Sequence, residues 1–174
     1  MKIWNQKNVA VLYGGRSSER DVSLSTGKGC CEALRSLGYQ VGLIDVDLDV
    51  AARLREGRID VAFIALHGRY GEDGCIQGLL ESMGIPYTGS GVLSSAMGMD
   101  KVISKFIFAA RGLTITPHHV FPKSQVENIR ESDLKFKFPV VIKPAGEGSS
   151  VGVHIVHNSE ELSDRKSTRL NSSH

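Results

Sequence analysis

The residues best suited to chemistry lie in the stretch Phe138 to Gly152, FPVVIKPAGEGSSVG. A β-branched run, Val140 to Ile142, ends in Lys143-Pro144. A loop of Gly148, Ser149, Ser150 and Gly152 then leads to a second alternating run, Val153 to Val156. This pattern reads as strand, loop, strand. Glycines let successive backbone N–H groups point at one anion, and serine hydroxyls add donors, so such a loop can fold over phosphate oxygens. Lys143, at the end of the strand, would place a point charge beside them. The same residues also describe an ordinary hairpin tip next to a solvated lysine. Lys101 falls in the first turn of a helix that Asp100 can cap. An exposed lysine there opposes the helix macrodipole at a cost of about 0.3–1 kcal/mol, which disappears if it meets an anion.

Two nucleotide motifs are excluded by spacing. Gly27-Lys28 resembles the end of a Walker loop, but Val22 stands where the first glycine is required and Gly29 where Ser or Thr is required. Gly14-Gly15 does not complete G-x-G-x-x-G, which also removes the main support for a dinucleotide-dependent oxidoreductase. The phosphate reading rests on EGSSVG.

The elements that would position these groups follow from hydrophobic patterning. Val9 to Tyr13 is a buried-type strand, and Val22 to Leu37 a helix with Cys30, Leu34 and Leu37 along one face and Gly38 as its stop. A strand over Tyr39 to Ile44, a helix from Val50 to Glu56 behind Asp49, and the apolar strand Val61 to Leu66 come next. Strands alternating with helices in this way imply a parallel sheet, whose ligands collect beyond the carboxyl ends of the strands. Two stretches fall there, Gly14 to Arg20 and His67 to Gly74. Glu19 and His67 are their candidate site residues. The plain readings are a weak surface ion pair of Glu19 with Arg16 or Arg20 and a structural histidine.

Asp73 is placed to cap a helix to Met83 with Ile76, Leu79, Leu80 and Met83 buried, and Gly84 ends it. A glycine-rich turn and a helix to Met99 lead to the second region. There the pattern predicts a helix over 101–111 with Ile103, Phe106, Ile107 and Ala110 on one face, a strand at His119 to Phe121 and a helix at Ser124 to Ser132. His118 and His119 are neighbours, so on a strand they point apart and make a poor metal pair.

Composition narrows the partners. With 41% hydrophobic and 23% charged residues, the 174-residue chain reads as an ordinary globular protein with room for one full core and part of another. No apolar run approaches the roughly 20 residues of a membrane helix, and no leader resembling a signal peptide opens the chain. Three cysteines, Cys30, Cys31 and Cys75, give neither a disulfide framework nor a metal spacing, so a cytoplasmic home is the default. The net charge of +2 comes from the tail Ser163 to His174, which holds Arg165, Lys166 and Arg169 against Asp164. No basic patch remains to suggest nucleic acid. That tail is too polar to pack and reads as disordered or foreign to the fold.

Together these residues resemble the D-alanine–D-alanine ligases of the ATP-grasp superfamily. GGRSSERDVSLSTG, HGRYGEDGCIQG, YTGSG with MDK, and KPAGEGSSVG stand in the family's order and spacing. The HG-x-x-GEDG block is the most specific, and the likeness runs from about Val9 to Val156. Asp21 stands where many relatives carry Glu, which keeps the charge. The resemblance implies an α/β protein with a Rossmann-like parallel sheet, the pre-ATP-grasp domain, over 1–98. A partial α+β ATP-grasp lobe over 99–160 and the tail over 161–174 would follow.

The activity it implies is ATP-dependent joining of two D-alanines through an acyl phosphate, for cytoplasmic synthesis of a peptidoglycan precursor. Glu19 would hold the ammonium of the first D-alanine, with His67 beside its carboxylate. Ser149 would tie the closing loop to Glu19, and Lys101, Lys143, Gly148, Ser150 and Val151 would bind the ATP phosphates. ATP and Mg2+ are the implied cofactors, with the metal ligands and adenine contacts expected outside this chain. On that basis the chain by itself is expected to form no dipeptide. A homodimer is implied for the intact protein. The alternatives are a D-alanine–D-lactate or D-alanine–D-serine ligase, which shares these motifs, and a non-catalytic nucleotide- or amino-acid-binding fragment.

Overall fold

A computed structural model describes residues 6–148 and 151–162 of the chain. Two compact units divide it, Met1–Met99 and Asp100–His174. Ser149, Ser150 and 163–174 lie outside the described residues, and with them the expectations placed on those positions.

In the first unit the order is β1 (Asn8–Tyr13), α1 (Arg20–Ser36), β2 (Gln40–Asp45), α2 (Val50–Glu56), β3 (Val61–Ile64), α3 (Cys75–Ser82) and α4 (Val92–Met99). The sheet runs β2-β1-β3, all parallel, with Val9 opposite both Val41 and Val61. Beyond β3 a single parallel bridge, Ala62 to Tyr87, extends it, and the Thr88 hydroxyl accepts the Ile64 N–H at 3.0 Å.

β1 is central and its alternation sorts the core. Ala10 and Leu12 face the side covered by α2 and α3, in one cluster with Val50, Leu54, Ala62, Leu66, Ile76, Leu80 and Ile85. Val11 faces the other side, against Cys31 and Ala65 under α1. The result is a sheet between two helical layers. Each fully buried leucine, Leu12, Leu54 or Leu80, contributes about 1.5–3 kcal/mol through burial.

Several sequence expectations are corrected here. In α1 the buried positions are Ser23, Gly27 and Cys31, whereas Leu37 is 68% exposed. Gly27 meets Tyr13 of β1 at a distance that leaves no room for a side chain, so a stripe of small residues sets how close the helix lies, while Cys30 and Leu34 pack against the same core as expected. α2 follows Asp49 as expected, and the Asp49 N–H donates to Asp47 at 2.8 Å. The cap position of α3 is Gly74, at φ 93°, and Asp73 acts one step earlier by accepting the N–H groups of Tyr70 and Cys75.

The second unit holds α5 (Lys101–Ala110) and a hairpin of β4 (Val140–Ile142) and β5 (His154–Val156), antiparallel with Val140 opposite Val156. Asp100 caps α5 as its position predicts, accepting the N–H groups of Val102 and Ile103 at 2.8 and 3.0 Å. The core of this unit is Ile129, Val156 and Leu162, with Phe138, Val140 and Ile142 packed on it. No strand forms at His119–Phe121. A β-branched and aromatic triplet needs a partner strand to become one, and here the His119 and Phe121 rings pack on each other, centroids 4.2 Å apart. Short 3-10 turns over Lys123–Asn128 and Glu131–Asp133 replace the expected helix at 124–132.

The predicted apolar face of α5 is present in sequence but not buried, with Phe106 73% exposed. The hairpin likewise covers only one of its faces, leaving Val141 and Ile155 open. Periodicity says which face favours burial; a two-stranded sheet supplies too little surface to bury it.

Candidate functional site

β1 ends at Tyr13 and β3 at Ile64, and the Ala65 N–H donates to the Leu12 carbonyl at 2.8 Å. The two loops that follow therefore leave the sheet at the same edge. Between them lies a cavity of about 160 Å3, lined by Gly14 to Ser17 from the first loop and by His67, Arg69, Tyr70 and Gly71 from the second, with Val46, Asp47, Val50 and Ile76 among its remaining walls.

The first loop is fixed by one ion pair. The Arg20 guanidinium grips Asp45 with two nitrogens, at 2.8 and 2.6 Å, and also donates to the Gly15 carbonyl at 2.9 Å. Asp45 in turn accepts the Gly15 N–H at 3.2 Å. Arg20 thus belongs to Asp45 and not to Glu19, and Arg16 lies over the Tyr70 ring, 5.6 Å from its centroid. The Arg20 hydrogen bond, helped by the Gly15 N–H and opposed by burial, holds the Asp45 carboxyl below the usual carboxylate range. A group whose folded-state pKa is depressed stabilises above its unfolded value and loses that contribution as pH falls through the folded one. Urea unfolding of wild type and Asp45→Asn should therefore differ most near neutral pH. The difference should shrink below about pH 4, where an unfolded aspartate takes up its proton. A gap constant down to pH 2 would exclude this role for Asp45.

Glu19 sits at the N-terminus of α1 with 8% of its surface exposed. Its N–H donates to Ser17 Oγ at 3.1 Å, and Ser17 Oγ donates to the His67 carbonyl at 2.7 Å. One hydroxyl thus ties the acid's backbone to the histidine's. Glu19 Oε2 lies against Gly68, which takes φ 69°; a Cβ there would be 2.5 Å from that oxygen. Among the described residues no cation pairs with the Glu19 carboxylate. Carboxylates are rarely buried unless paired, which makes Glu19 a candidate site residue. His67 is half-buried, with Nε2 3.1 Å from Thr26 Oγ1.

The acids of the second loop build the loop itself. Glu72 accepts the Gly68 N–H at 2.6 Å and Asp73 the two amides named above. Gln77 closes the turn through Nε2 to the Gly71 carbonyl at 2.8 Å. Sequence reasoning passed over Ser17, Arg20, Asp45, Glu72 and Thr26 as site-builders. Ser17, Arg20 and Thr26 stand within the GGRSSERDVSLSTG stretch, and Glu72 within HGRYGEDG, so the signal was proximity to the motif residues; Asp45 carried none.

In the second unit Lys101 Nζ donates to the Glu147 carbonyl and approaches the Ala145 carbonyl at 3.5 Å, while the Lys101 N–H donates to the Ala145 carbonyl at 3.0 Å. These carbonyl oxygens supply negative partners to the lysine in the first turn of α5. Lys143 is exposed at the end of β4, and Gly148 accepts the Val151 N–H at 3.3 Å. Both lysines and the described part of the loop belong to this unit; Glu19 and His67 belong to the other. No group of three or more His, Cys, Asp or Glu among the described residues could hold a metal ion. No described helix is long and apolar enough to cross a membrane.

These features define an α/β protein built on a parallel sheet, with its polar loops gathered at the carboxyl edge. The family model described as D-ala D-ala ligase N-terminus matches residues 49–90, and that described as D-ala D-ala ligase C-terminus matches 107–171. The D-alanine–D-alanine ligase of Anaeromyxobacter dehalogenans strain 2CP-1 is 64% identical over 162 residues, 93% of this chain and 53% of the relative. The crystal structure of the Bacillus anthracis D-alanine–D-alanine ligase superimposes with a TM-score of 0.74 at 38% identity, over 95% of this chain and 54% of that one. The same enzyme complexed with ATP gives 0.69 at 36% identity, over 95% and 55%. The chain belongs to the D-alanine–D-alanine ligase family. It spans about half the length of the curated relatives it matches.

Proposed function

We propose that the intact protein joins two D-alanine molecules at the expense of ATP, through an acyl phosphate, that this chain by itself forms no dipeptide, and that Glu19 and His67 form the seat of the first D-alanine. The observation that carries the reading is a buried carboxylate without a described counter-charge, tied through Ser17 to a half-buried histidine. A zwitterionic amino acid offers the complementary charges. Its ammonium satisfies Glu19, and its carboxylate, the group to be phosphorylated, lies within reach of the imidazole. Lys101 and Lys143 compensate the charge of the nucleotide phosphates, and Gly148, Ser150 and Val151 belong, with Ser149, to the loop that covers them.

Magnesium is implied by the family, but no group of three or more His, Cys, Asp or Glu among the described residues fits it. Domains over 1–98 and 99–160, cytoplasmic location and a homodimer of the intact protein belong to the same proposal.

The seat is tested by amide chemical shifts of the chain titrated with D-alanine. Signals of residues 14–20 and 67–73 should move, and Glu19→Gln should weaken the response about ten- to a hundredfold, the worth of a hydrogen bond to a charged group. Unmoved signals at saturating D-alanine, or an equal response in Glu19→Gln, would exclude it.

A further inference from the structure

We infer that Thr26 is a positioning residue that sets the tautomer of His67, placing the proton on Nε2 and leaving Nδ1 as the working nitrogen. The inference extends the proposed D-alanine seat, in which His67 serves the substrate. Thr26 lies in the second turn of α1, and its Oγ1 is 3.0 Å from the Val22 carbonyl and 3.1 Å from His67 Nε2. A hydroxyl has one hydrogen to give and lone pairs to receive. The carbonyl can only accept, so the hydroxyl hydrogen goes to Val22. What faces the imidazole is then a lone pair, and Nε2 must be the donor. A ring nitrogen's protonation is set by the bond the other nitrogen makes; here the order is fixed from α1.

The consequences for the ring are specific. Neutral His67 accepts at Nδ1, protonated His67 donates there, and the Thr26 contact survives either state. The imidazole can therefore gain or lose a proton at Nδ1 without losing its anchor. The second anchor is the His67 backbone, whose carbonyl accepts from Ser17 Oγ at 2.7 Å. Ring and backbone are thus held by two hydroxyls on opposite sides of Glu19 in sequence, so the acid and the histidine are positioned by one stretch of chain.

The test is 15N-detected imidazole NMR on the ligand-free chain, together with Thr26→Val, which keeps the shape and removes the hydroxyl, and Thr26→Ser, which restores it. Wild type should show a protonated Nε2 and an unprotonated Nδ1 at a pH where His67 is neutral. Thr26→Val should show the Nδ1-protonated form or a mixture, and Thr26→Ser should return to the wild-type pattern. D-alanine binding should weaken about three- to tenfold in Thr26→Val, as for the loss of one hydrogen bond, and recover in Thr26→Ser. A wild-type ring protonated on Nδ1, or a Thr26→Val ring unchanged from wild type, overturns the inference whatever D-alanine does. A tautomer change in Thr26→Val with His67 signals indifferent to D-alanine upholds the inference and overturns the substrate role of His67 instead.

Discussion

Gly27→Ala is expected to destabilise the chain by about 1–3 kcal/mol, whereas Gly29→Ala, two residues further along the same helix, is expected to stabilise it by up to about 1 kcal/mol. Helix propensity favours both changes equally. What separates them is the neighbour each new methyl group meets. At Gly29 nothing lies within 4 Å. At Gly27 a Cβ would fall 2.8 Å from Tyr13 Cγ and nearer still to Tyr13 Cβ, an atom fixed to the backbone of the central strand. Tyr13 cannot swing away without moving the end of β1, and that end carries Gly14 and the loop to Glu19. The pair of variants therefore reads the closeness of α1 to the sheet with propensity cancelled. Denaturant unfolding of both provides the measurement, and shifts of the same sign would show that small residues do not set the packing of this helix.

Gly68→Ala should separate stability from binding. The left-handed backbone at φ 69° costs a side-chain-bearing residue about 1–2 kcal/mol, and the new Cβ would stand 2.5 Å from Glu19 Oε2. That oxygen is the tip of a flexible side chain, so the chain can yield by turning the carboxylate aside. Folding should then survive with a modest loss, while the response to D-alanine falls at least as far as in Glu19→Gln. Ala at Gly84, also at positive φ but with nothing within 4 Å, supplies the control with backbone strain and no carboxylate. Equal D-alanine responses in the two alanine variants would sever the link between Gly68 and the site.

Much of the scaffold was legible because its signals are local. The apolar runs at Val9, Val41 and Val61, spaced by helical patterns, require parallel pairing, and the Asp100 cap and the β4–β5 hairpin follow from residue types a few positions apart. The placement of Glu19 and His67 at the carboxyl edge of the sheet was also readable, since each lies in the loop after a buried strand. What could not be read was what depends on partners distant in sequence. A stripe of Ser23, Gly27 and Cys31 carries little apolar weight, so the close approach of α1 was not legible, whereas Cys30 and Leu34 pack on the core as their spacing implies and Leu37 does not. His119 to Phe121 has strand composition and no strand to pair with. Asp45 lies 25 residues beyond Arg20, and nothing in its surroundings announces that it holds the Glu19 loop. Thr26 looks like a helix surface residue until the loop from β3 brings an imidazole to it.

The alternation along β1 has one more outcome. Because neighbouring positions of that strand serve opposite layers, its variation is confined to exchange of like for like. Losing or gaining one residue between Val9 and Leu12 would send every side chain beyond it to the wrong layer and turn the Gly14 loop over with them. A change of one residue is thus tolerable in the outer turns but not within β1, whose register carries both layers of the core at once.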